Sequence, residues 1–147
     1  MEFLKSYVVL APYATLIGVI FAIYQFWRNV EQSKTSFEDS ISREYRDISN
    51  NIPYNALIGK TLIGEEMTQA SNVIYNYIDF CNEQIFLRRT GRVREDTWNN
   101  WQEGMSINFS LPIFLYISEE VFKELPDSFT GLKRVMSENY STDPKNW

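Results

Sequence analysis

The hydrophobic pattern of the chain divides it into three stretches. Tyr7 to Trp27 reads YVVLAPYATLIGVIFAIYQFW, with no charged residue. Beyond it the apolar positions thin to a helical spacing: Trp27, Val30, Phe37, Ile41, Ile48 and Ile52, with Lys34 and Glu44 or Tyr45 as polar breaks. Pro53 ends that seam, because proline disfavours helix in the residue before it. In the third stretch, Ala70, Ile74, Tyr77, Ile78, Cys81 and Ile85 make one stripe, widened by Val73, Phe80 and Leu87. They predict a central helix from Glu65 to Arg89, with Gly91 ending it. Trp98, Trp101, Met105 and Phe109 predict another from Glu95. Phe114, Ile117, Val121 and Phe122 predict a third, opened by Ser110 as cap and Pro112 in the first turn, and stopped by Pro126. Phe129, Leu132 and Val135 predict a short last helix starting at Ser128, and the polar tail from Glu138 reads as frayed. No period-two alternation marks a strand. The expected fold is all-α: a single transmembrane helix over 1–28, an amphipathic stalk helix over 29–52, and a compact helical domain over 53–147.

The charge-free run carries the cellular reading. At ~1.5 Å per residue it covers roughly 31 Å, against a bilayer hydrocarbon core of about 30 Å. Pro12 falls in the first turns, where its missing N–H costs least, and Tyr7, Tyr24 and Trp27 stand near the two ends as interfacial anchors. Two other readings compete: a buried core helix and a cleaved signal peptide. The run is longer than either requires, and QFWRN lacks the small-residue cleavage pattern. Arg28, Lys34, Arg43 and Arg46 follow the run, against Lys5 and the amino terminus before it. The positive-inside rule therefore puts the N-terminus outside the inner (cytoplasmic) membrane and the remaining domain in the cytoplasm. The lone cysteine fits a reducing compartment. The seam over 29–52 has two readings, a helix packed on its own domain or a parallel stalk that joins copies into a homo-oligomer.

Composition narrows the chemistry. Hydrophobic residues are 44% of the chain and aromatics 16%, enough for a packed core. Histidine is absent, which excludes His-based general base catalysis, Ser-His-Asp and Cys-His machinery and His-ligated metals. One cysteine excludes an intrachain disulfide and a thiolate zinc site. A net charge of −5 and the lack of any reading motif argue against duplex nucleic acid as a partner. Gly59-Lys60-Thr61 lacks the GxxxxGK[ST] spacing of a phosphate loop. Asp79 and Glu83 share a helix face at i, i+4, but ion pairing to nearby arginines is the favoured reading over a carboxylate-held metal. With no nucleophile–base pair in view, the expectation is a non-enzymatic protein without metal or cofactor.

The candidate ligand-binding residues are Arg88, Arg89, Arg92 and Arg94, half of all the arginines, set in RRTGRVR, together with Trp98. Guanidinium forks match phosphate oxygens, a turn after a helix presents several at once, and nearby aromatics can stack on a base. The structural alternative is a helix C-terminus balanced by cations and paired to Glu83, Glu95 or Asp96. The aromatics, likewise, serve equally as core.

The stretch from Tyr77 to Phe114 resembles a family of small, single-pass bacterial membrane proteins. Its pattern is carried here by Asp79, Glu83, Phe86, Arg89, Gly91, Trp98, Trp101, Gly104, Pro112 and Phe114, with W-x-x-W-x-x-G at its centre. The resemblance implies an all-helical cytoplasmic domain on one anchor and no reaction. The layout is also similar to CRISPR-associated membrane effectors that recognise cyclic oligoadenylate. The functional expectation is a sensor/effector in which a homo-oligomer binds an anionic nucleotide through the arginine segment and acts at the lipid bilayer, as in antiphage defence. The alternative is a constitutive tether or scaffold that recruits a protein partner.

Overall fold

The computed structural model describes the backbone of residues 2–147 and the side chains from Thr15 onward. Among the described residues six helices run in order: α1 Glu2–Asn50, α2 Tyr54–Leu57, α3 Gly64–Arg89, α4 Glu95–Phe109, α5 Pro112–Glu124 and α6 Thr130–Ser137. A 3-10 turn, Pro144–Asn146, closes the chain. No strand occurs among the described residues, and the all-α class holds. The chain forms two compact units, residues 1–37 and 38–147.

In the first unit, Leu16, Ile17, Val19, Ile20, Phe21, Ile23, Tyr24, Phe26 and Trp27 are each more than half exposed. At 3.6 residues per turn these positions point in every direction around the helix. Among the described residues no helix is long and apolar enough to cross a membrane. The first part of the expected span, residues 1–14, with the expected anchor Tyr7 and with Pro12, lies outside the described side chains.

The second unit is organised by α3, against which α4, α5, α6 and the closing turn all pack. Its predicted stripe is the core: Ala70, Ile74, Tyr77, Ile78, Cys81 and Ile85 are buried, and so are Phe80 and Leu87. The Tyr77 ring meets Phe109 and Phe114, each at 5.5 Å between centroids. Each such fully buried side chain contributes about 1.5–3 kcal/mol. Gly91, at φ 74°, ends α3 in a Schellman turn: Arg92 N–H donates to Leu87 C=O and Gly91 N–H to Arg88 C=O. Gly131 brings α6 close to α3, since a Cβ there would stand 3.0 Å from Ile85 Cγ2. Ile41 and Ile52 are buried, so within the second unit the seam packs on its own domain. Ser110 does not cap α5. It closes α4 instead, with Oγ donating to Ile107 C=O at 2.6 Å, while Leu111 stands at the α5 N-cap.

The tail is not frayed. Asn139 and Tyr140, both at φ 52°, turn the chain out of α6, and the residues after them return to α3 and α4. Arg88 grips Asp143 with two donors, Nε to Oδ1 at 2.7 Å and Nη2 to Oδ2, while its Nη1 donates to Val93 C=O at 2.8 Å. Trp98 Nε1 and Gln102 Nε2 both donate to Thr142 C=O. Pro144 is buried, and Arg134 lies over the Trp147 ring at 4.3 Å. Sequence periodicity is silent here because the clasp is built from one carboxylate and one carbonyl rather than an apolar stripe.

The clasp makes stability acid-sensitive. The hydrogen bonds from Arg88, backed by Lys145 N–H, hold the Asp143 carboxyl below its ordinary range. A native pKa that is depressed stabilises the fold above the unfolded value, about 3.9, and that contribution fades as pH falls through the native value. Asp143→Asn is therefore expected to flatten the fall in urea midpoint between neutral and strongly acidic pH. An unchanged acid slope in the variant would show that other carboxylates carry it.

Candidate functional site

The RRTGRVR segment spans the last turn of α3, the Schellman turn and the start of α4. Of its four arginines two are structural. Arg88 is 3% exposed and committed to Asp143 and Val93. Arg94 occupies the N-cap of α4, where Glu38 reaches across from α1: Oε1 accepts the Arg94 backbone N–H at 2.9 Å and Oε2 accepts Nη1 at 3.0 Å. A carboxylate at that point also meets the positive end of the α4 dipole. Arg89 and Arg92 are exposed. Trp98 is fully buried, its N–H spent on Thr142, so its faces are core surface and not a stacking platform. The expected five-residue ligand set is thus not assembled: Arg88, Arg94 and Trp98 hold the fold, and Arg89 and Arg92 stand on the turn.

Asp79 and Glu83 are exposed, and the carboxylates that pair with Arg88 and Arg94 are instead Asp143 and Glu38, distant in sequence. Among the described residues no group of three or more Cys, Asp or Glu side chains is placed to hold a metal ion. Cys81 is fully buried and burial pushes its thiol pKa up, which suits a small core residue and not a nucleophile.

A concave feature of the domain lies elsewhere. A cleft of about 520 Å³ opens between α1, α3 and α4. From α1 it takes Glu38, Asp39, Ser42, Tyr45 and Arg46, one face at helical spacing. From α4 it takes Thr97, Asn100, Trp101 and Gly104, again one face, and from α3 the pair Tyr77 and Gln84, two turns apart. Tyr77 is buried and its hydroxyl, its pKa raised by burial, accepts a hydrogen bond from Asn108 at 2.9 Å. Glu38 is neutralised by Arg94, and Asp39 and Arg46 carry opposite charges at the rim.

Sequence reasoning touched this cleft at Tyr77, Trp101 and the polar break at Tyr45, and missed Gln84, Asn100 and the polar side of α1. The available signal was the i, i+4, i+7 run of Glu38, Ser42 and Tyr45, which reads as an interruption of a seam until α4 is known to face it.

Comparison of the chain with known protein families, characterised proteins and solved structures finds no match.

Proposed function

We propose that this protein is a non-enzymatic, single-pass membrane sensor. Its apolar N-terminal segment sits in the inner (cytoplasmic) membrane with the N-terminus outside, and its helical domain, in the cytoplasm, binds a small nucleotide-type signal. The observation that carries the reading is the bare apolar surface from Leu16 to Trp27, nine large side chains exposed on all sides of one helix. Such a surface is costly in water and stable in hydrocarbon, and joined to the uncharged residues 7–14 it reaches spanning length. The resemblance of residues 77–114 to single-pass membrane proteins supports the same reading. So does the cluster of Arg28, Lys34, Arg43 and Arg46 on the side assigned to the cytoplasm.

With Arg88 and Arg94 engaged inside the fold, an anionic part of the signal falls to Arg89 and the turn around Arg92. Repetition of that turn around a homo-oligomer axis would build the positive field that a cyclic oligonucleotide needs, the arrangement suggested by the similarity to CRISPR-associated effectors. A second reading, a scaffold that recruits a protein, is favoured by one feature. Tyr54, Leu57, Ile58 and Ile63 lie exposed in and just after α2.

The anchor is tested by ultracentrifugation of cells expressing the full chain. The protein is expected in the pellet, resistant to high salt and released by detergent. Recovery in the detergent-free supernatant would overturn the membrane assignment.

A further inference from the structure

We propose that the cleft between α1, α3 and α4 is a binding site for an uncharged nitrogen heterocycle of the nucleobase or nucleoside type. Gln84 carries the argument. It is 4% exposed, it lines the cleft, and no described residue donates a hydrogen bond to its amide or accepts one from it. Every fully covered side-chain nitrogen or oxygen among the described residues has a partner. The Gln84 amide therefore keeps an edge that the open cleft reaches, a donor and an acceptor side by side in one plane that no described residue occupies. An amide fixed by its buried stem, with its polar edge reachable from the cleft, is preorganised to hydrogen-bond a ligand that enters.

The rest of the lining selects the ligand class. Tyr45 on α1 and Trp101 on α4 offer aromatic surface from two walls, and a base stacks on such surface while its edge meets an amide. Asn100, Thr97 and Ser42 add polar groups suited to ribose hydroxyls. The volume of about 520 Å³ fits a nucleoside and is too small for a folded partner. The charges decide against a polyphosphate: Glu38 is paired with Arg94, and Asp39 balances Arg46. Gly104 leaves room, since a Cβ placed there meets no atom within 4 Å. This inference rests on the sensor reading and assigns the uncharged part of its signal, the base and sugar, to the cleft; it is independent of the anchor, so pelleting and nucleoside binding fail separately.

The test is titration of full-length protein in detergent with adenosine, guanosine, cytidine and uridine, each as a separate probe, by calorimetry. At least one is expected to bind saturably. Gln84→Leu is expected to weaken that binding by about tenfold or more while leaving the thermal midpoint of the unliganded protein close to the parent's, because the amide makes no hydrogen bond to a described residue. A merely structural glutamine would lower the midpoint along with the affinity. Gly104→Leu is expected to block the cleft with the fold retained. Failure of all four nucleosides to saturate folded protein, or undiminished binding in both cleft variants, would overturn the assignment.

Discussion

Arg88→Ala is expected to lower the unfolding free energy by about 3–5 kcal/mol, the cost of removing one partner of a buried ion pair. The guanidinium satisfies three acceptors at once, both Asp143 oxygens and Val93 C=O, and none has another donor from a side chain of that strength. The Asp143 side chain is 23% exposed, so water recovers part of the loss and the lower end of the range applies. Against a typical total of about 5–15 kcal/mol, that is enough to populate unfolded protein at physiological temperature. Arg88→Lys is expected to rescue little, because an ammonium cannot reproduce the planar fork. Urea denaturation of the full chain in detergent, followed by far-UV circular dichroism, measures both variants. A loss below about 1 kcal/mol for the alanine variant would mean that the pair does not fasten the tail.

Trp98→Ala is expected to cost a similar amount, about 3–5 kcal/mol, for a different reason. The indole is fully buried in the largest side-chain site of the core, and its removal leaves a cavity that the surrounding helices cannot close. The lost hydrogen bond contributes less, since Gln102 also donates to Thr142 C=O at 2.7 Å. Trp98→Phe should therefore retain most of the stability. Because Arg88 and Trp98 hold the same returning tail, the double variant is expected to lose less than the sum of the single ones. Strict additivity in the same denaturation experiment would place the two residues in separate structural units.

These two residues also mark how far the sequence can be read. Both belong to the segment that looks most like a ligand site, with arginines crowded beside a tryptophan in an acidic chain. Charge density and aromatic content are local properties, and they cannot distinguish a guanidinium facing solvent from one facing a carboxylate 55 positions later. The same limit applies to Arg94 and Glu38, separated by 56 positions, and to the tail, whose polar composition hides a clasp made of single directed hydrogen bonds. The cleft was legible only in fragments, because its three walls come from three helices and each wall alone looks like an ordinary polar face.

The helices themselves are a different case. Periodicity of apolar residues along α3, α4 and α6, proline at the start of α5 and glycine after α3 act within a few turns of chain, so the all-α class, the α3 core stripe and the termination at Gly91 follow from local spacing alone. The uncharged run from Tyr7 to Trp27 is likewise a property of composition. What only the tertiary structure decided is pairing: which arginines are consumed, where the tail returns, and that Gln84 lines one cleft with Tyr45 and Trp101. Helix formation depends on neighbours three and four residues away, whereas a salt bridge, a clasp or a cleft depends on where distant helices come to rest, and that is set by the packing of the whole core.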